Sequence, residues 1–584
     1  MRRLLTPATP PPSLKKNLTP PYPAPAPTPT PTPASMAALA TGDGKPLPPP
    51  LALPKTELLM FATPHHQERI RPIISSSNEV QHTGCVGTIH GPACPVKGGQ
   101  WSLVEHLHRT SFHAARPPRA EMLEDIRAAL QTDLLYRIPD NYMHGAGDTY
   151  FAGKMLAKLG RVLVIADEAG ERGPLFDAAL THLRSGVEIW LNGSAASPFL
   201  YDNKWGGMVM CGCDYNGLGC NNQFPDCPAL VDAGQNFGAG FYNDHHYHYG
   251  YHIFAAAVVA KFDAVWAREF YQHVLLLIRD IANPSQSDPH FPPFRHKDWY
   301  LGFSWASGIV TIQGNPYPNG RNQESSSEAI SAYESVALFG EVMADLYRGS
   351  ADPEDEDLLE ASERIRDMGR LLLATETRSA KTYWHVQAPN TVGVSRIYPA
   401  VYEPKVVGML WSLLAQEQTW FGSEPWKSYG IQLMPLTVAA EQRDPPSWVR
   451  EMLPDFNESC SSNPLCEEQG WSVLVLSCMA TIGQWEEARA GTCVCLHMWE
   501  GVVRLAISDC VCVVEATVYV RLRTYSSPLP PLYPQAPSRW RTPSSRWPGA
   551  TGTRAATLCG TSQPATRRTS TRTRPKDVRH AGIA

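Results

Sequence analysis

The chain has 584 residues and a formal net charge of −5, with 16 Trp and 22 Tyr. So small a charge on so long a chain sets up no global field toward nucleic acid or an anionic membrane, and no apolar run reaches the roughly 18–20 residues of a spanning helix. The length allows two to four average domains, or one large barrel with tails.

Met1-Arg2-Arg3-Leu4-Leu5 is basic but runs at once into prolines, without the apolar core of a signal peptide. That predicts a protein that stays inside the cell, or a true start that lies elsewhere. Residues 1–54 are Pro/Thr/Ala-rich, an extended polyproline-type segment that cannot bury a core. Residues 55–100 read as an irregular linker. Residues 101–490 turn globular and mostly helical: Leu123, Ile126 and Leu130 keep helical spacing, as do Met155, Leu159, Val162, Leu163 and Ala166 up to a stop at Gly170. Phe176, Leu180, Leu183, Val187 and Trp190 mark a third helix, and further helices are predicted near 251–262, 267–281, 324–347, 355–375, 400–417 and 470–489. Helices in sequential pairs, loops rich in Gly, Pro, Asn and Trp, and almost no strand alternation predict an all-α toroid whose loops at one end form a cleft. After Ala490 the composition shifts, and residues 491–584 read as a disordered tail or as translated non-coding sequence.

Of the 14 cysteines, Cys211, Cys213, Cys220 and Cys227 crowd one loop-like stretch, while Cys493, Cys495, Cys510, Cys512 and Cys559 fall in the tail. The first group suits two local disulfides, free thiols or, less well, a zinc knot, since paired C-x₂-C units are lacking. Sequons at Asn17, Asn192 and Asn457 are compatible with secretion.

The run Gly320-Arg321-Asn322-Gln323-Glu324-Ser325-Ser326-Ser327-Glu328 reads as a helix start that puts Glu324 and Glu328 on one face, an open acidic wall. One Glu would deprotonate a water while the other orients it or shares the proton; the plain alternative is a pair of solvated helix charges. Upstream, Tyr242-Asn243-Asp244-His245-His246-Tyr247-His248-Tyr249-Gly250-Tyr251-His252 offers Asp244, either a helix cap or a carboxyl raised by burial among tyrosines into a general acid. His248 and His252, four apart, admit a metal, but no Glu stands between them; bonding to sugar hydroxyls is the preferred use, and ordinary core histidines are the plain alternative. Asp298, Trp299 and Trp305 supply charge and rings for a pyranose face, unless the rings only fill the core. Asp202 and Trp205 would form the opposite wall. A P-loop, a Rossmann glycine pattern and a G-x-S-x-G elbow are all absent.

The Tyr242–Tyr251 run, Arg295-His296-Lys297-Asp298-Trp299, Ser304-Trp305-Ala306-Ser307-Gly308 and the Arg321–Glu328 run, in that order, resemble glycoside hydrolase family 81, endo-β-1,3-glucanases of fungi, oomycetes, plants and bacteria. The resemblance covers roughly residues 101–490 and includes Tyr201-Asp202, Trp205-Gly206-Gly207 and Thr419-Trp420-Phe421-Gly422. It implies a mainly α protein with an (α/α)6-barrel catalytic domain, the family's N-terminal β-sandwich domain being missing or truncated. It also implies hydrolysis of internal bonds of a β-1,3-glucan polysaccharide with inversion, no cofactor and no metal, and an extracellular or cell-wall location. Under it Asp244 is the general acid, Glu324 the general base and Glu328 its assistant, while His248, Asp298, Trp299 and Trp305 line the cleft.

Three departures stand out. Asn236 occupies a position that is usually acidic, a cysteine-bearing insertion covers roughly 211–231, and the final barrel segment is replaced after Ala490. Together with the missing domain they keep a second expectation open, a glucan-binding protein without catalysis.

Overall fold

The computed structural model describes residues 59–70, 84–98, 103–216, 219–309, 311–312, 315–350, 352–387, 397–484, 488 and 519–520. The proline-rich segment, nearly all of the tail with its five cysteines, and the sequon at Asn17 lie outside them. The chain divides into two compact units. Residues 59–61, 84 and 95–98 are the described part of the first, and everything below concerns the second.

About half of the described chain is helix, with a few small sheets. In chain order the principal helices are α1 (Leu123–Asp133), α2 (Thr149–Ala169), α3 (Pro174–Leu191), α4 (His245–Phe262), α5 (Ala264–Ala282), α6 (Ser326–Tyr347), α7 (Pro353–Tyr383), α8 (Pro425–Ile431), α9 (Pro446–Ser461) and α10 (Ser472–Thr481). Their ends follow local chemistry. The Asp148 carboxylate accepts the Phe151 N–H at 2.6 Å to open α2, and Gly170 closes it at φ 75°, as expected for a left-handed C-terminal cap. Asp263 does the same for α5 through the Trp266 N–H at 2.9 Å.

α4 is buried on every side from His245 to Ala260, which marks it as a central helix rather than a surface one. It packs on α2, α3, α5 and α6, and α6 in turn lies along α7. Gly250 permits the close approach of α4 to α6, since a Cβ there would stand 2.8 Å from the Ala332 backbone of α6. A second core, around Trp426, Tyr429, Trp448 and Phe456, joins α8, α9 and α10.

Two small sheets frame the loops. β1 (Phe199–Asp202) and β2 (Gly207–Met210) form a hairpin with Phe199 opposite Met210. β3 (Asn322–Gln323) pairs with β4 (Met409–Trp411), which pairs with β5 (Ala415–Gln416), all antiparallel. This corrects the helix expected over 400–417. The apolar run is a buried strand, and at its start the Gly408 N–H donates to Gln416 O at 2.9 Å, so close to the next strand that a side chain would collide with the Glu417 carbonyl. The stretch expected to be an irregular linker holds a short helix, Pro64–Ile70, and a hairpin in which Val86 faces Ala93. Disulfides join Cys85 to Cys94, Cys211 to Cys227, Cys213 to Cys220 and Cys460 to Cys466, so the clustered cysteines are two local bridges. Among the described residues no helix is long and apolar enough to cross a membrane.

Candidate active site

The serine-rich run folds differently from its sequence reading. α6 starts only at Ser326, with Ser325 as the cap whose hydroxyl accepts the Glu328 N–H at 3.2 Å. Glu324 therefore precedes the helix, and the two glutamates do not share a helical face. Nor do they form an open wall, because Glu328 is buried at 3% exposure while Glu324 is half-buried. Hydrogen bonding explains the split. Asn322 and Gln323 are drawn into the sheet with β4, so the chain is still extended when it reaches Glu324.

Glu324 is gripped from two sides. Its Oε1 accepts the Trp420 N–H at 2.7 Å, and its backbone carbonyl accepts Gln432 Nε2 at 2.6 Å. Burial pushes this carboxyl up to about 8; the Trp420 N–H opposes the shift and the charge of Glu328 adds to it. Glu328 Oε1 accepts two phenols, Tyr150 at 2.8 Å and Tyr251 at 2.6 Å. Lys154 reaches the Tyr150 hydroxyl at 3.4 Å, and burial lowers its pKa although Glu328 and Asp148 hold it up.

Asp244 stands at the cap position of α4, yet its side chain caps nothing. Its φ of 59° is left-handed, and its N–H donates to Ala306 O at 2.9 Å. Burial drives the carboxyl well above 3.8, the charges of Glu324 and Glu328 add to this, and a hydrogen bond from Ser307 opposes it. Strain gathers here. Among the described residues the non-glycines at positive φ are Asn236, Phe237, Tyr242 and Asp244 in one segment and Phe294 and His296 in another, and His296 Nε2 bonds Tyr242 O at 2.7 Å between them. Each such residue costs about 1–3 kcal/mol, which the surrounding contacts must hold in place.

Below the acid lies a buried ion cluster. Asp280 accepts the Met208 N–H at 3.0 Å, pairs with His245 Nδ1 at 2.6 Å and with Arg295 at 3.1 Å, and so pins the first residue of α4. Burial alone would raise this carboxyl, but Arg295 and His245 hold it down at about 2.

The remaining expected residues fall into two groups. His248 is buried with Nδ1 on Thr149 Oγ1 at 2.6 Å and Nε2 unpartnered, beside the Tyr150 ring at 5.6 Å; burial keeps it neutral. His252 turns to a different atom, Thr149 O, at 2.9 Å, so the two imidazoles do not converge. Asp202 accepts the Tyr242 hydroxyl at 2.8 Å and the Lys204 N–H at 2.8 Å, which fixes the β1–β2 turn that carries Trp205, 71% exposed. Asp298 accepts the Tyr300 and Leu301 N–H groups and Trp305 Nε1 at 3.1 Å. Trp305 itself is 2% exposed and packs on Phe303, whereas Trp299 keeps an open face. Sequence reasoning missed Tyr150, Tyr251, Ser307 and Trp420. Tyr251, Ser307 and Trp420 lay inside the quoted runs, but nothing in sequence pointed to Tyr150, which approaches Glu328 only through the packing of α2 on α4.

A family model described as the glycosyl hydrolase family 81 C-terminal domain matches residues 118–490. A glucan endo-1,3-β-D-glucosidase of Glycine max is 30% identical over 66% of this chain and 52% of its own length. Glucan endo-1,3-β-D-glucosidase 2 of Saccharomyces cerevisiae is 26% identical over 73% of this chain and 50% of its own. A solved glycoside hydrolase family 81 structure from Clostridium thermocellum aligns with a TM-score of 0.52 at 23% identity, over 78% of this chain and 55% of that one. The chain thus spans about half the length of these relatives.

Proposed function

The chain belongs to glycosyl hydrolase family 81, and from that premise we propose that it hydrolyses internal β-1,3-glucosidic bonds of β-1,3-glucan with inversion. Asp244 is the general acid, Glu324 the general base that activates water, and Glu328 the carboxylate that steadies it. Residues 101–490 are the catalytic domain, an (α/α)6 barrel; the sequential packing of α2, α4, α6 and α7 supports this.

One observation carries the reading. Both half-buried carboxyls are raised by burial, Glu324 to about 8 and Asp244 well above its ordinary range, and Glu324 is held besides by the Trp420 N–H. Two groups whose environments separate their proton affinities can be acid and base at once. The reaction needs the pH window in which Glu324 is ionised while Asp244 still holds a proton. In that window Asp244 protonates the departing glycosidic oxygen. Glu324, held by the Trp420 N–H, takes a proton from the water that attacks the anomeric carbon from the far side. Glu328, bonded by two phenols, adds negative charge beside the forming oxocarbenium ion. The exposed rings of Trp205, Trp299 and Trp420 offer stacking faces, and His248 Nε2 offers a polar atom to a sugar hydroxyl.

The test is the anomer released first from laminarin, read by NMR before mutarotation. An α-product is expected. A β-product overturns the inverting mechanism, and retention of laminarin without shortening overturns the enzyme in favour of a glucan-binding protein.

A further inference from the structure

The serines between Glu324 and Glu328 all bond to one neighbour, the chain that leaves α8. Ser325 Oγ donates to Ile431 O at 3.1 Å, and Ser327 Oγ bonds Ile431 O at 2.7 Å and also Met434 O. Between them stands Gln432, fully buried, whose amide is used on both sides. Its Oε1 accepts the Ser326 N–H at 3.1 Å and the Ser326 hydroxyl at 2.7 Å. Its Nε2 donates to Glu324 O at 2.6 Å and to Gly408 O at 3.2 Å. The partners fix which end is which, because a backbone N–H can only donate and a backbone carbonyl can only accept. Both protons and both lone pairs of the amide are thereby taken.

These bonds stand where neither strand nor helix supplies one. β3 ends at Gln323 and α6 begins at Ser326, and the first N–H groups of a helix have no partner within it. Gln432 takes the carbonyl before that break and the N–H after it, and so spans the bend at which Glu324 leaves the sheet. Glu324 is then held at three points by three segments. Ser307 Oγ accepts its N–H at 3.2 Å, Gln432 holds its carbonyl, and the Trp420 N–H meets its carboxyl at 2.7 Å.

We infer that Gln432 is a positioning residue for the base: by gripping the peptide that follows Glu324 it keeps the carboxyl on the Trp420 N–H and aimed at the attacking water. The inference rests on the proposed role of Glu324. Gln432 acts through the main chain, and its effect on the carboxyl runs through the Trp420 N–H, which favours the ionised form against burial and the charge of Glu328. The other ionisable groups facing Glu324 are Asp244 and Tyr247 at the start of α4 and Tyr150 on α2.

Because the base must be ionised to act, the acidic limb of kcat/KM follows Glu324. Gln432→Met keeps the bulk of the side chain without its amide. Its limb is expected to move to higher pH by about 0.5–1 unit as the Trp420 N–H bond is lost, with kcat on laminarin down about tenfold and KM nearly unchanged, since the base is no longer aimed. Ser327→Ala loosens the same chain segment without touching the amide, so its melting temperature should fall while limb and kcat stay near the parent's. If Gln432→Met does not fold, Gln432→Asn carries the same expectation, being one methylene too short to reach both sides of the bend. A Gln432 variant whose limb and kcat coincide with the parent's overturns the inference, as does a Ser327→Ala variant that moves both equally. A parent protein that leaves laminarin uncut would instead sink the glucanase reading.

Discussion

Two groups of buried carboxylates sit in one helical framework, and their surroundings differ in a single respect. Asp280 and Glu376 face cations: Asp280 pairs with His245 and Arg295, and Glu376 with Lys297 at 2.9 Å, both partners of that second pair being fully buried. Asp244, Glu324 and Glu328 face phenols, a serine hydroxyl and a backbone N–H, and among the described residues none of the three is in an ion pair. Burial penalises charge in both groups. At Asp280 the cations compensate and hold the carboxyl down, so that it ties helices together. At Asp244 and Glu324 only neutral donors are offered, the carboxyls are raised, and a retained proton can be delivered.

The comparison breaks most visibly at its two aspartates. Asp244→Asn should cut laminarin turnover by about 10²–10⁴-fold with no loss of melting temperature; a stable variant that turns over at the parent rate would remove Asp244 from the mechanism. Asp280→Asn leaves Arg295 and His245 facing each other without their carboxylate, so unfolding free energy should fall by about 3–5 kcal/mol in denaturant titration. An unchanged midpoint there would mean that the ion cluster does not hold the start of α4.

The pH dependence of stability should separate the groups by sign. A carboxyl raised in the folded state stabilises fully below its unfolded value and loses that contribution as pH rises through the folded one. For Glu324 that window runs from 4.5 to about 8, and Glu324→Gln should flatten the decline across it. Asp280 behaves oppositely: its contribution is present above 3.8 and is lost as pH falls toward about 2. Thermal melts of the parent and the two variants across pH read both windows, and a Glu324→Gln melt that declines as steeply as the parent's between them refutes the first. The smallest expected effect is at Trp420. Trp420→Ala keeps the N–H on Glu324, so the acidic limb of kcat/KM should hold while KM rises roughly fivefold from lost stacking. A shifted limb would mean that the indole, and not only the backbone, sets the base.

Helical periodicity located α2, α3, α5 and α7 because their apolar stripes repeat at helical spacing over long stretches. It failed at 400–417, where a short apolar run is compatible with helix or strand and pairing with Asn322 and Gln323 decided for strand. The same pairing removed Glu324 from α6, which no local pattern near the serines announces. α9 was also missed, since Pro446 and Pro454 interrupt its reading although the first is tolerated in an opening turn.

What the sequence determined by itself was the chemical inventory: which carboxyls, histidines and rings are clustered along the chain, and the family to which their order belongs. Only the tertiary structure decided which carboxyl meets a cation and which meets a phenol. Asp244 and Asp280 are the same residue type with the same ordinary proton affinity, and neither one's partners lie beside it in sequence. Arg295, Ser307, Glu324 and Trp420 reach these sites through loops and sheet pairs that bring distant chain segments together. The proton affinity of a buried acid is set by that long-range company, through desolvation, charge and hydrogen bonding, all of which act over a few ångströms of space irrespective of distance along the chain.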